Sequence, residues 1–229
     1  RDIDCTTSGN TVYMINTGCA SFDINVSVDN TYYNLYIGGD GANSKLPSAT
    51  ITIGGNLTVA TGGIYDVNTR TQNITGNLVI DGTGVLTGTS ETINLGGNWT
   101  NNNGAAGFVQ GTSTANFNGS SGAQTITSSS TETFNNLTIN NASGVTLASA
   151  ADVAGALTLT SGVLTTTATN LLTINSGATS GAGLATAYVD GPMKKLGSTN
   201  FTFPLGDNGN WAKLAIATLT GADATTAFT

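Results

Sequence analysis

The chain has 229 residues, of which only 8% are charged, with 6 Lys+Arg against 13 Asp+Glu, no histidine and a net charge of −7. Such a balance excludes a basic nucleic-acid surface, which needs clustered Lys and Arg, and the missing histidine excludes Ser-His-Asp and Cys-His triads. No run of about 18 apolar residues is present, so no membrane-spanning helix is expected.

The N-terminal stretch carries both cysteines, Cys5 and Cys19. A disulfide across this short loop would staple an N-terminal cap over residues 1–33 and implies an oxidising compartment.

From residue 34 a phrase repeats. It runs Asn34-Leu35-Tyr36-Ile37, Asn56-Leu57-Thr58-Val59, Asn77-Leu78-Val79-Ile80, Asn98-Trp99-Thr100-Asn101, Asn116-Phe117-Asn118 and Asn136-Leu137-Thr138-Ile139. Ala156-Leu157-Thr158-Leu159 and Leu171-Leu172-Thr173-Ile174 complete it. The steps from Asn34 are 22, 21, 21, 18, 20 and 20 residues. A period near 20 suits a solenoid coil of short strands joined by tight corners. Within each phrase apolar residues alternate with polar ones, the period of a half-buried strand. Further strands recur between the phrases, among them Ile51 to Ile53, Ile64 to Val67, Val85 to Thr87 and Val145 to Leu147. The expected fold is therefore all-β: a parallel β-helix, or β-solenoid, of about 20-residue coils over residues 34–184.

Stacking such coils about 4.8 Å apart would pair every strand with the coils above and below. The expected core column is Leu35, Leu57, Leu78, Trp99, Phe117, Leu137, Leu157 and Leu172. The expected surface ladder is Thr58, Thr100, Thr138, Thr158 and Thr173. Residues 185–229 break the repeat with Gly191-Pro192, Phe203-Pro204 and Trp211, and read as a separate C-terminal β module. The final residues, Ala224 to Thr229, read as the middle of a longer polypeptide.

Several of these segments carry a resemblance. Tyr33-Asn34-Leu35-Tyr36-Ile37-Gly38-Gly39, Ile53-Gly54-Gly55-Asn56-Leu57-Thr58-Val59 and Phe134-Asn135-Asn136-Leu137-Thr138-Ile139-Asn140 resemble the repeats of large Bacteroidota surface proteins. Gly191-Pro192-Met193-Lys194-Lys195, followed by Phe201-Thr202-Phe203-Pro204-Leu205-Gly206, is similar to a segment that often follows such repeats. The resemblance implies an adhesin-like protein exported by the type IX secretion system to the cell surface, with attachment or scaffolding as its activity.

Residues that could carry chemistry are few. Glu132 and Asp152 share a phase and would stack on adjacent coils, at about the 5 Å separation of a retaining glycosidase. No basic or aromatic residues accompany them, so they read as solvated corner acids. Asp207-Asn208-Gly209-Asn210 and Gly39-Asp40-Gly41-Ala42-Asn43 offer oxygen ligands but match no calcium motif. A water-ordering threonine face fails because Val79 and Asn118 interrupt the column. No catalytic residue, cofactor or metal is expected. The expected partners are other copies or other segments of the same surface protein, and surface glycans. The alternative is a carbohydrate-binding or carbohydrate-cleaving β-helix, which would need a clustered aromatic and carboxylate groove.

Overall fold

A computed structural model describes residues 5–16, 22–24, 30–41, 44–217 and 227–228. Strand makes up 52% and helix 2%, so the fold is all-β as expected. The chain divides into two compact units, Arg1–Ser113 and Thr114–Thr229. Each is built of parallel strands stacked as a β-solenoid, with coils of roughly 21 residues and about eight turns counted along the chain.

In the first unit each coil has three faces. One face is formed by Thr11–Asn16, Asn34–Gly39, Leu57–Val59, Leu78–Ile80 and Trp99–Asn101. The second holds Phe22–Ile24, Ser44–Pro47, Ile64–Asp66, Val85–Thr87 and Phe108–Val109. The third holds Thr31–Tyr32, Ile51–Ile53, Gln72–Ile74 and Thr92–Leu95. The Thr11–Asn16 strand lies parallel and in register with Asn34–Gly39, so the coil pattern already operates within residues 1–33.

The Gly-Asn corner sets the spacing. Asn34 Oδ1 accepts from the Asn56 amide, Asn56 Oδ1 from Asn77 and Asn77 Oδ1 from Asn98, each at 2.8 Å. The ladder satisfies one backbone donor per coil where the chain leaves the sheet. The residue before each upper asparagine must be small: a Cβ on Gly76 would lie 2.5 Å from both Asn56 Oδ1 and the Gly55 carbonyl oxygen.

In the second unit, Gln124–Ser128, Val145–Leu147, Leu164–Thr165, Val189–Asp190 and Leu205–Asp207 form one face. The long strands Glu132–Asn140 and Ala151–Ser161 each turn a corner, marked by a register shift between Phe134 and Asn136. The first half of the Ala151–Ser161 strand pairs onward with Leu172–Ile174, and the second half with Thr179–Ser180. Parallel coiling continues past Ala185, since Met193–Leu196 pairs with Leu172–Ile174 and Leu205–Asp207 with Val189–Asp190. Reversal follows: Asn210–Trp211, Leu214–Ile216 and Ala227–Phe228 all pair antiparallel, each against a different strand.

All eight residues of the expected core column are buried, but they do not form one column. Leu35, Leu57, Leu78 and Trp99 are successive rungs of one sheet. Phe117 instead lies opposite Ile139; Leu137 lies opposite Ala115 and Leu157, and Leu172 opposite Ala151. The step of 18 residues from Asn98 to Asn116 is shorter than a coil. It carries the phrase to another strand of the turn.

The threonine ladder divides in the same way. Tyr36, Thr58, Val79 and Thr100 form one outward rank, Thr138 faces Thr158, and Thr173 stands between Asp152 and Lys194.

Asn56→Ala removes one rung of the corner ladder and is expected to cost about 1 kcal/mol. Gly76→Ala, which forces a Cβ against a backbone carbonyl, is expected to cost about 2 kcal/mol or more. Chemical denaturation of the two variants checks the order.

Candidate functional site

Three acids of the first unit, Asp66, Asp81 and Glu91, are held by their own turns. Asp66 Oδ1 accepts from the Asn68 amide at 2.8 Å, and Asp81 Oδ1 from the Gly82 amide at 2.9 Å. Glu91 is buried; its Oε2 accepts from the Thr89 amide, the Thr89 hydroxyl and the Ser90 amide at 3.0, 2.8 and 2.9 Å. Three donors from one corner make it a turn anchor.

Glu132 and Asp152 do not come together. Glu132 lies opposite Ala151, while Asp152 lies opposite Thr133. The two acids are thus one residue out of step, and alternation sends their side chains to opposite faces of the sheet. Glu132 is 2% exposed and points inward, which corrects its reading as a solvated corner acid. Asp152 is half-buried between Thr133 and Thr173. Burial pushes its carboxyl above the usual aspartate range, against a hydrogen bond with the Thr173 side chain and the charge of Lys194.

Asp207-Asn208-Gly209-Asn210 forms a hairpin turn in which Asn208 and Gly209 take φ of 49° and 83°. Asp207 Oδ1 accepts from Asn208 Nδ2, and Asn210 Nδ2 donates to the Asn208 carbonyl at 3.2 Å. Its oxygens thus serve the turn itself. The other calcium candidate includes Ala42 and Asn43, which lie outside the described residues. Among the described residues no group of three acids or cysteines is placed to hold a metal. Cys5 is buried, and its expected partner Cys19 also lies outside them.

Two features were not visible in the sequence. Lys195 is 1% exposed and follows Phe134, Val153 and Ile174 in register, a core position. Its ammonium donates to the carbonyls of Asn175 at 2.6 Å and Ala178 at 3.0 Å and lies 5.4 Å from the Phe201 ring centroid. Burial lowers its pKa below the usual lysine range. The second feature is a threonine rank in the second unit, where Thr125, Thr146 and Thr165 are successive outward rungs followed by Asp190.

Among the described residues of this unit are two shallow grooves. One, about 350 Å³, runs along Leu205, Asp207, Asn210 and Ala212. The other, about 390 Å³, is walled by Thr179, Ser180, Asn200 and Thr202 beside Phe201. Neither contains paired carboxylates.

No family model, no curated protein and no solved structure matches this chain.

The shifted groups predict two pH dependences. Asp152, raised in the fold, contributes stability that is fully present below its ordinary value of 3.8 and is lost as pH rises through the folded pKa. Asp152→Asn should therefore raise the melting temperature at pH 7, with the gain vanishing below pH 3.8. Lys195, lowered in the fold, contributes stability present above 10.5 and lost as pH falls through its folded pKa. Wild-type stability should climb across that window, and Lys195→Met should abolish the climb in thermal melts at stepped pH.

Proposed function

We propose that this chain is a non-catalytic segment of an extracellular surface protein, a rigid β-solenoid acting as a stalk or fibre element in adhesion. The observation that carries this reading is the use of the acids at the repeat's corners. Asp66, Asp81 and Glu91 accept bonds from their own turns, while the outward rank of the same coils offers Tyr36, Thr58, Val79 and Thr100. A coil whose side chains serve its own stacking is suited to bearing load and spacing other modules. Only 8% of residues are charged, and the strands inside each sheet are bonded to neighbours on both sides, which leaves few loose amides for proteases.

The resemblance to Bacteroidota surface repeats supports export by the type IX route and a place at the cell surface. The Cys5–Cys19 disulfide belongs to the same reading. It would close a loop of about 15 residues and contribute about 3 kcal/mol. Intact-mass measurement before and after alkylation, paired with melts in reductant, tests it: two free thiols, or a melting temperature unmoved by reductant, would remove this support.

A second reading, carbohydrate binding, is favoured by the groove of hydroxyl and amide side chains beside Phe201. Glycan-array binding that Asn200→Ala and Thr202→Ala abolish would favour it over the stalk.

Electron microscopy of producing cells and of the purified secreted protein tests the main proposal. Thin rods or filaments on the cell surface, labelled by antibody to this segment, are the expected result. Label confined to the cytoplasm would sink it.

A further inference from the structure

The strand Thr11–Asn16 is a terminal strand of its sheet, and among the described residues it pairs along one edge only, with Asn34–Gly39. It has six residues, Thr-Val-Tyr-Met-Ile-Asn, with no charge and no proline. Two of its outward side chains are large, apolar and open: Tyr13 is 64% and Ile15 58% exposed, while Met14 between them is buried. The other terminal strands of the described sheets are two or three residues long, including Phe22–Ile24, Phe108–Val109, Asn210–Trp211 and Leu214–Ile216. Short edges resist pairing, and charges or prolines block it. The long edge has none of these protections.

We infer that this edge is an interface for a second copy of the chain, joined antiparallel about a two-fold axis. The edge alone carries this, independently of the stalk reading. A two-fold axis sets the edge as a whole against a copy of itself, so an edge of one charge sign would repel its copy, and this one is uncharged. Directly opposite residues in an antiparallel pair share a face of the sheet. Outward Tyr13 and Ile15 must therefore meet outward residues.

A register centred on Met14 achieves this, with Tyr13 opposite Ile15 of the second copy, twice over, and Met14 opposite Met14. Aromatic against β-branched pairs are favourable across strands. A register centred on Tyr13 would instead set Ile15 against Thr11 and lose both pairs. Head-to-tail addition would need a matching long edge elsewhere, and the other described edges are too short. The result is a closed dimer rather than an open fibre.

Sedimentation of the full chain over a concentration series is the test, with circular dichroism confirming that each variant folds. The wild type should dimerise, and Ile15→Lys should weaken the dimer about tenfold or more. Val109→Lys, at an exposed site on another face, should leave it unchanged. For the register, Tyr13→Cys and Ile15→Cys chains are mixed under oxidation and the cross-links mapped by peptide mass spectrometry. The expected product joins one Tyr13→Cys chain to one Ile15→Cys chain through the two introduced thiols. A monomer at every concentration, open filaments, or a dimer indifferent to Ile15→Lys or equally weakened by Val109→Lys would each overturn the inference. So would a dominant cross-link between two Tyr13→Cys chains through their introduced thiols.

Discussion

Everything in this fold depends on one constraint: a strand of three residues cannot satisfy its backbone or bury its side chains by itself. Leu57–Val59 has amides and carbonyls pointing along the stacking direction, and only the neighbouring coils supply partners. Those coils must sit at strand spacing, about 4.8 Å apart. The corners must therefore be as thin as the strands. Gly76 and Asn77 meet that demand together, one by lacking a Cβ and the other by lending an oxygen to the next coil's amide. A change at either position acts on the spacing of the coils, and the spacing decides whether Leu57, Leu78 and Trp99 remain in contact within the core.

The interior is not wholly apolar, and the exceptions follow from the same corners. Tyr65 donates its hydroxyl to Gln72 Oε1 at 2.5 Å, and Gln72 Nε2 donates to the Arg70 carbonyl at 2.7 Å. Asn141 Nδ2 reaches the Gly122 carbonyl and Gln124 Oε1, while its own Oδ1 takes the Ser143 amide. In each case a buried side chain bonds a backbone group that a tight turn leaves pointing inward. Burying a polar group is tolerable when its partners are complete. Lys195 is the extreme case, a cation at an aliphatic rung held by two turn carbonyls and faced by an aromatic ring. It comes where parallel stacking gives way to antiparallel pairing, with Phe228 opposite Lys195 in the register.

Much of this was legible in the sequence because the repeat is physical before it is statistical. Asn34, Asn56, Asn77 and Asn98 recur at coil spacing because each occupies the same corner. What the phrase does not encode is which face it enters. Asn136 plays the same corner role with the Ala156 amide, at 3.1 Å, but on a bent long strand. Sequence spacing alone cannot separate those cases, so the column drawn through Phe117, Leu137 and Leu172 crossed from one strand to another. The Glu132–Asp152 pair failed for a related reason. A register offset of one residue is invisible at the level of a period of about 20 residues, yet it sends two carboxylates to opposite sides of a sheet. Lys195 was hidden because a lysine in a strand pattern is ordinarily an outward residue.

The treatment of the strand ends shows what the protein avoids. Parallel coils expose edges wherever stacking stops, and an exposed edge invites another chain. In the second unit the chain answers by reversing direction and by keeping the reversed strands short. A two-residue strand such as Asn210–Trp211 presents too few amides to template a partner, and its tight turn uses the neighbouring polar groups. Thr11–Asn16 follows the opposite rule, with six uncharged residues and its largest apolar side chains turned outward. A chain that controls its other edges has the means to control this one. Leaving Tyr13 and Ile15 open is thus better explained as selection for a partner than as neglect, and the uncharged self-complementary pattern names that partner as the same strand.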